Sequence, residues 1–432
     1  MRWKEESVTG WGRALRAEAE VARPERLSDL PEKLGPAIGG RRSYGDAALN
    51  GGGRAIDMTR LDRILSFDPA SGKVEVEAGV TIGTLLRVFA PQGWMPAVMP
   101  GTGFATVGGA IAMDVHGKNH HHAGSFGGHV TAITLLQEAG EVRITPRNRA
   151  LWQATIGGLG QTGIITKAVL QLARTPGTTM EVRERRAEGW DEHLAMLDAS
   201  QATYCVSWID ATATGEAMGR GILEEAELCA TRKPAASHGP KVPTDAPGFA
   251  LSAPIVKAFN AIYFRRVPAE GRSVVRPMAD FFFPLDRIHD WNRLYGKRGF
   301  HQFQCVVPEA AKGQIKTMMQ EIAGAGLASP LAVLKRMGPG RAGYLSFPME
   351  GYTLAVDFPN RGRAGGLIGR LIDMTAEAGG RIYFAKDSLA RAEQIGAMYP
   401  DLGKWQAAVA KADPGGIFET DMTRRLGLRG SE

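Results

Sequence analysis

The segment PGTGFATVGGAIAMDVHGKNHHHAGSFGG, residues 100–128, holds the densest group of residues that could do chemistry. Clustered glycines let backbone N–H groups approach phosphate oxygens because no Cβ intervenes, so Gly101, Thr102, Gly108 and Gly109 are suited to hold a pyrophosphate. Tight turns and close strand–helix packing use glycines equally well. The spacing alone leaves both interpretations open.

Histidines and a lysine follow in the same segment. His116 and Lys118 are two positions apart, so on an extended chain they share a face and suit a phosphate or a developing alkoxide. A solvated polar patch is the alternative. His116, His120, His121 and His122 together suggest a metal, but adjacent histidines in a strand point to opposite faces, and no carboxylate or thiol completes a zinc-like set. We therefore predict no metal site.

A further lysine stands near the C-terminus, in RIYFAKDS, residues 381–388. The run alternates as a strand and ends in Lys386 and Asp387. A lysine at the end of an apolar strand can have a lowered pKa and act as a base or an anion contact. A simply exposed lysine is the alternative.

Alternating runs between glycine-rich turns predict the elements that position these residues. Residues 81–93 predict a helix that Thr81 caps and Pro91 ends. GLGQTG, residues 158–163, matches a dinucleotide-binding fingerprint, but a strand-like run follows where that fingerprint needs a helix, so we reject a Rossmann fold. The strands predicted in this part are 73–80, 129–137, 141–146 and 164–172.

The composition changes after Thr179, and the whole pattern indicates an α+β fold. Residues 231–248 are Pro-rich and polar, which predicts a mobile loop, either a lid or membrane-facing element or a plain surface loop. The aromatic run at 275–285 is expected to be exposed. The other predicted elements are a strand leading into a helix over 181–200, strands at 203–211, 300–308 and 352–359, and an amphipathic helix at 364–380.

Length and composition fit a globular protein of two or three domains. The chain has 432 residues, of which 44% are hydrophobic and 22% charged, with a net charge of +7. Three widely spaced cysteines favour a reducing compartment. With no apolar run of about 18 residues, no signal-peptide pattern and no nucleic-acid-binding motif, we expect a protein that is cytoplasmic or peripheral to the inner membrane and binds no nucleic acid.

Taken together, the motifs resemble one family. The runs GRRSYGDAALNGGGRAIDMT, PGTGFATVGGAIAMDVHGKNHHHAGSFG, YFAKDS and FETDMTRRL are similar to the decaprenylphosphoryl-β-D-ribose 2-oxidases, flavoenzymes of the PCMH-type FAD-binding, vanillyl-alcohol-oxidase superfamily. The resemblance covers nearly the whole chain and thins between about 215 and 275. It implies an FAD-binding domain in two parts, 1–180 and 381–432, and a substrate domain on an antiparallel sheet over 181–380.

The resemblance also implies the reaction and its partners. The 2-hydroxyl of a polyprenyl-phosphoryl ribose would become a ketone, with hydride passing to N5 of a non-covalent FAD and a quinone reoxidising the flavin. An NADH-dependent keto-reductase would act next, in the synthesis of an arabinan precursor for the cell envelope. Peripheral contact with a membrane is compatible with such a substrate.

Site residues follow from the resemblance, position by position. Lys386 would lie nearest the reacting hydroxyl, and His116 and Lys118 beside the flavin ring. Ala355 stands where actinobacterial members carry a cysteine, and Thr353 where an amide is usual. The implied FAD contacts are Ser43, Tyr44, Gly45, Gly101, Thr102, Gly108, Gly109, Ala112, His116, Gly117, Ile165 and Tyr383, and the implied substrate contacts are Lys118, Tyr295, Gln302, Gln304, Lys335 and Lys386.

Two alternatives stay open at this point. Related flavin domains serve soluble alditol or aldonolactone oxidases that use O₂. A non-catalytic module that binds nucleic acid or lipid through its basic surface is the other, although it leaves the glycine-rich segment and Lys386 unexplained.

Overall fold

A computed structural model describes residues 3–231 and 239–430 of the chain. Three sheets and the helices packed on them give the α+β architecture that the sequence predicts. Of the predicted mobile loop at 231–248, residues 232–238 lie outside the described residues.

The N-terminal sheet has four strands in the order β1-β2-β4-β3. β1 and β2 run antiparallel, and β4 pairs parallel with both β2 and β3. In β2, with the sequence RAEAEVA, alanines face the core and glutamates face outward, as the two-residue period of a strand requires. The strands are β1 (Lys4–Thr9), β2 (Arg16–Ala22), β3 (Ala37–Ile38) and β4 (Arg54–Asp57).

The second sheet carries the predicted strands of the first part, in the order β5-β6-β10-β8-β9, with β7 added to β10. Thr81 caps α1, since its Oγ1 accepts the Thr84 N–H at 3.1 Å, as predicted. β10 follows GLGQTG directly, so no Rossmann helix is present at that position. The elements are β5 (Ile64–Asp68), β6 (Lys73–Glu77), α1 (Ile82–Phe89), β7 (Trp94–Pro96), α2 (Val107–Ala112), α3 (His120–Ala123), β8 (Val130–Gln137), β9 (Gly140–Ile144), α4 (Arg149–Thr155) and β10 (Ile164–Arg174).

The third sheet is antiparallel and has eight strands in the order β14-β11-β13-β12-β16-β17-β15-β18. It spans 179–382, close to the expected substrate domain, whose boundaries stay a prediction. Its elements are β11 (Thr179–Ala187), α5 (Trp190–Ala199), β12 (Tyr204–Ile209), β13 (Gly221–Cys229), α6 (Ala253–Arg265), β14 (Arg272–Pro277), α7 (Met278–Phe282), β15 (Phe300–Val307), α8 (Lys312–Ala325), β16 (Ala332–Met337), β17 (Gly351–Pro359), α9 (Ala364–Glu377) and β18 (Arg381–Ile382).

The C-terminal segment returns to the N-terminal part of the chain. Its helices are α10 (Ala392–Met398), α11 (Leu402–Ala412) and α12 (Asp421–Arg425), and α11 packs against α4. The Arg425 guanidinium bridges Asp46 at 2.7 Å and Asp387 at 2.9 Å, which joins the two ends of the chain. Across the described ranges, no helix has the length and apolarity to cross a membrane.

Three sequence expectations are wrong. The predicted strand at 381–388 ends at Ile382, because residues 383–386 form a turn in which the Lys386 N–H donates to the Tyr383 carbonyl at 2.9 Å. The three adjacent histidines lie in the short helix α3 rather than in a strand. The phenylalanines of 275–285 are buried, since α7 turns them into the core of the second sheet.

Gly45 provides a test of the junction between the chain ends. A Cβ added there would lie 1.9 Å from the Asp387 carbonyl oxygen, so we expect Gly45→Ala to destabilise the fold by about 1–3 kcal/mol. Gly366→Ala, in α9, is the matched control, because a Cβ there meets no atom within 4 Å; it should raise stability by about 0.5–1 kcal/mol. Denaturant unfolding of both variants measures the difference, and equal stabilities would contradict the packing described.

Candidate active site

A cavity of about 640 Å³ lies between the second and third sheets. One side is formed by the glycine-rich loops at 39–44 and 99–106 together with α2. The other side is formed by β12, β15, β16 and β17 and by the turn at 383–386. Backbone donors therefore dominate one wall, and side chains from a sheet dominate the other.

Most residues that the resemblance assigns to FAD line this cavity. Gly45 is the exception, since it packs against the Asp387 backbone behind the wall. The residues that do line it are Ser43, Tyr44, Gly101, Thr102, Gly108, Gly109, Ala112, His116, Gly117, Ile165 and Tyr383.

The glycine-rich wall has room and donors for a phosphate-bearing ligand. A Cβ built on Gly101 meets no atom within 4 Å, so the backbone there faces open space. Buried Arg42 Nε and His116 Nδ1 have no hydrogen-bond partner within the protein. Because buried polar groups are normally paired, these two nitrogens fit contacts to a bound ligand. The residues present therefore fit FAD.

A carboxylate from the distant segment 284–287 reaches the same wall. Asp286 accepts from the Thr102 hydroxyl at 2.8 Å and from the Gly103 N–H at 2.7 Å. Burial raises the pKa of Asp286, an effect that these hydrogen bonds oppose. The Thr102 hydroxyl, which the resemblance assigns to FAD, is thus engaged by this carboxylate.

Three lysines meet on the opposite side of the cavity. Lys118, Lys335 and Lys386 are half-buried and all line it. Burial, together with the positive charges of the other two lysines, lowers the pKa of Lys335 to about 7. Burial also lowers the pKa of Lys118 to about 8, opposed by the nearby Glu224 carboxylate. Such a group of amines favours an anionic ligand.

Lys386 lies beside a buried carboxylate. Its Nζ stands 3.7 Å from the centre of the Tyr44 ring. Burial lowers the pKa of Lys386 and raises that of Asp357, and the charge of each opposes the shift of the other. Asp357 accepts hydrogen bonds from Gln302, its cross-strand neighbour on β15, and from the Tyr295 hydroxyl at 3.0 Å.

Tyr295, which the resemblance assigns to the substrate, does not line the cavity. Its ring stacks on Phe300 with 3.9 Å between the centroids, and its hydroxyl donates to Asp357 and lies 2.9 Å from the Ser329 hydroxyl. It therefore lies behind the lining, where it supports Asp357. Gln302, Gln304 and Lys335, also assigned to the substrate, do line the cavity.

His116 is held as a neutral ring in the cavity. Burial lowers its pKa well below the usual value, and the charge of Lys335 lowers it further. Its Nε2 lies 3.3 Å from the Gln304 amide nitrogen, which also donates to the Thr353 hydroxyl at 3.2 Å. His116 can thus accept a hydrogen bond at Nε2 while Nδ1 faces a ligand.

Lys118 is placed by α7. Its Nζ donates to the Phe281 carbonyl at 2.5 Å and lies 3.9 Å from the centre of the Phe281 ring. An ammonium has three donors, so the others stay available to a ligand.

The neighbouring histidines are engaged by backbone. His120 Nε2 pairs with the Gly340 carbonyl at 3.0 Å, and His121 Nε2 with that of Ala202 at 2.9 Å. Within 3–231 and 239–430, no group of three or more His, Cys, Asp or Glu side chains is arranged to hold a metal ion.

Sequence reasoning missed three carboxylates of the cavity region: Asp357, Asp286 and Glu224. Asp357 had a signal, because it shares one face of β17 with Ala355 and Thr353 and is a charged residue in an otherwise apolar strand. Asp286 and Glu224 meet Thr102 and Lys118, which lie more than 100 residues away in the sequence, so no local sequence pattern predicts these contacts.

Comparison with known proteins agrees with this geometry. An FAD-binding-domain family model matches residues 36–146. Decaprenylphosphoryl-beta-D-ribose oxidase of Mycolicibacterium smegmatis is 39% identical over 98% of this chain and 97% of its own length. L-gulonolactone oxidase of Mus musculus, 29% identical, matches 35% of this chain and 34% of its own. D-lactate dehydrogenase of Anaerostipes hadrus, 30% identical, matches 32% of this chain and 30% of its own.

The full-length match and the domain match agree on a cofactor and a class of enzyme. The glycine-rich wall of the cavity falls within or next to the residues that the FAD-binding model covers. The chain therefore belongs to the decaprenylphosphoryl-β-D-ribose oxidase family and is an FAD-dependent oxidoreductase.

Proposed function

We propose that this enzyme oxidises the 2-hydroxyl of a polyprenyl-phosphoryl-β-D-ribose to the 2-keto sugar. The observation that supports this most is the group of three half-buried lysines that line the cavity opposite the glycine-rich wall, one of which, Lys386, interacts with the buried Asp357 carboxylate. A substrate with a phosphate and several hydroxyls matches amines and amides in such an arrangement. The extent of the similarity to a relative named for this substrate adds to the argument.

Lys386 is the proposed base. Its lowered pKa gives a useful fraction of neutral amine near neutral pH, which a proton acceptor needs. It would take the hydroxyl proton as the C2 hydride departs, which leaves a ketone. FAD supplies the hydride acceptor when it is bound. His116, neutral and packed beside Tyr383, would donate a hydrogen bond from Nδ1 to a ligand oxygen, because its Nε2 accepts from Gln304.

The other polar side chains have positioning roles in this proposal. Gln302 and Gln304 present their amides to the sugar from one face of β15. Lys335 and Lys118 would hold the phosphate. Asp357 would set the charge state of Lys386. The Tyr295 hydroxyl, which donates to Asp357, would hold that carboxylate in place.

The proposed partners follow from the chemistry. A reduced flavin needs an electron acceptor. Because a lipid-linked substrate lies in a membrane, a quinone of the same membrane is the acceptor that we propose. The keto sugar is the substrate class of an NADH-dependent keto-reductase, which would complete the epimerisation to arabinose. A cytoplasmic or peripheral location at the inner membrane fits these partners.

A soluble alditol or aldonolactone oxidase that uses O₂ is the second candidate. The partial match to L-gulonolactone oxidase favours it, but that match covers about a third of the chain. A neutral polyol or lactone carries no anionic group, so it would give the positive charges of Lys118 and Lys335 no partner.

Absorption spectra separate the two candidates. We expect the purified enzyme to show flavin bands that bleach on anaerobic addition of a short-chain prenyl-phosphoryl ribose, since the lysines favour a phosphorylated sugar. Acid precipitation should release the flavin, because we predict that it is bound non-covalently. Bleaching by an alditol or aldonolactone alone would assign the enzyme to the second candidate, and a protein without flavin bands after incubation with FAD would refute both.

Replacement of Lys386 tests the base. We expect Lys386→Met to slow flavin reduction by about 100- to 10,000-fold, since a methionine of similar length accepts no proton. Stopped-flow reduction with the prenyl-phosphoryl ribose measures the rate. Lys404→Met, at an exposed position of α11, is the control and should reduce at the wild-type rate. A Lys386→Met enzyme within threefold of wild type would exclude Lys386 as the base.

Replacement of Asp357 tests its role in setting the pKa of Lys386. The Asp357 charge raises that pKa, so its removal in Asp357→Asn lowers it, and the amine becomes neutral at a lower pH. We therefore expect the rise of kcat with pH to move to lower pH. A pH profile from pH 5 to 10 measures this, and an unshifted profile with a reduced kcat would show a merely structural role.

A further inference from the structure

Exposed apolar side chains concentrate on one part of the third-sheet region. Seven large apolar side chains are exposed in 3–231 and 239–430, and four of them fall within residues 249–262. Phe249 precedes α6, and Ile255, Phe259 and Ile262 lie on it, with 69%, 44%, 48% and 74% of their surface exposed. A cluster of this kind on a soluble surface marks an interaction site.

The three residues of α6 share one face of the helix. Their spacing of four and three residues places them on a single stripe. The opposite face of α6 is buried through Val256 and Phe264, so the helix already has its core contact. The stripe is therefore a second apolar face, which no part of residues 3–231 or 239–430 buries.

Polar contacts fix the orientation of α6. Asn260 is fully buried and its amide donates to Asp210 at 2.6 Å. At the C-terminal end of the helix, the Arg266 guanidinium donates to the buried Glu184 at 2.6 Å. Rotation of the helix to hide the apolar stripe would break both contacts, so the stripe is held outward.

The same helix forms part of the cavity wall. Tyr263 lines the cavity and contacts Trp208, another lining residue, at 4.9 Å between ring centres. Its other neighbour is Phe259 of the apolar stripe, stacked at 5.8 Å. The exposed stripe thus adjoins the wall of the active-site cavity.

The charged residues of α6 and its immediate flanks are all positive. Residues 250–266 contain Lys257, Arg265 and Arg266 and no acidic residue. Lys257 and Arg265 are exposed and lie on the side of α6 between its buried face and its apolar stripe. A helix with an apolar face flanked by exposed basic residues is the pattern of elements that lie in the interface of an anionic bilayer.

We propose that α6 and the segment before it dock on an anionic phospholipid surface. The docked helix would hold the Tyr263 side of the cavity against the bilayer, so that a phosphorylated sugar could enter while its prenyl chain stays among the lipids. This inference deepens the proposed function and rests on it for the identity of the substrate. The docking itself requires only the surface described.

Vesicle co-sedimentation tests the docking. The flavin-loaded enzyme is mixed with phosphatidylcholine vesicles that contain about 30 mol % phosphatidylglycerol, and with pure phosphatidylcholine vesicles. We expect pelleting with the anionic vesicles that weakens as salt is added. Ile255→Ser/Ile262→Ser should lower the partition coefficient by at least about tenfold, since two apolar side chains are lost from the interface. Leu65→Ser removes a residue 43% exposed on β5 and is the matched control, expected to bind as wild type does.

The outcomes separate docking from catalysis. A wild-type enzyme that stays in the supernatant, or a double variant that pellets equally well, would overturn the proposal. A dimer that the double variant dissociates, seen by sedimentation velocity, would assign the stripe to a second copy of the chain instead. Bleaching of the flavin by a water-soluble short-chain substrate reports the proposed function independently, and the double variant should keep it at the wild-type rate. Vesicle binding without that bleaching would refute the substrate and leave the docking standing.

Discussion

Asp357, fully buried behind the cavity lining, and Lys386, half-buried in it, place opposite charges close together, and the arrangement of the substrate side of the site depends on that pair. Burial disfavours the charged form of each group. The opposite charge of the partner offsets part of that effect, so each group stabilises the charged form of the other. Two elements must place them. The register of β15 and β17 sets Gln302 opposite Asp357, and the turn at 383–386 sets Lys386 above the Tyr44 ring.

The turn in its own right depends on both ends of the chain. The Asp387 carboxylate accepts the N–H groups of Leu389 and Ala390 and the guanidinium of Arg425, while Gly45 packs on its carbonyl. This explains in physical terms why the RSYGD and AKDS runs occur in one chain. Neither run can hold its half of the site without the other, because each supplies a surface on which the other packs.

The local sequence pattern predicts those elements whose side-chain alternation or capping residue lies within a few neighbouring positions. Strands such as β10 and the capped helix α1 follow from alternation and from Thr81, which are properties of a few neighbouring residues. RIYFAKDS alternates as a strand does, but its last residues form their hydrogen bonds in a turn that Asp387 and the N-terminal loop stabilise. The phenylalanines at 281–283 were expected outside, yet α7 packs them against the second sheet. In both cases tertiary contact decided, and a single sequence holds no record of it.

The candidate site divides in the same way. Glycines that suit a phosphate are visible in the sequence because their role lies in their own backbone. The substrate side depends on amines from three separate elements, whose grouping only the fold produces. Burial lowers the pKa values of both Lys335 and Lys118, and the positive charge of Lys118 lowers that of Lys335 as well. A phosphate between them would raise both pKa values and relieve their repulsion, so binding of an anionic substrate and protonation of the site favour one another. Lys386 comes from a third element, the turn at 383–386, and its pKa responds to Asp357, so the proposed base is controlled by a different carboxylate from the one that faces Lys118.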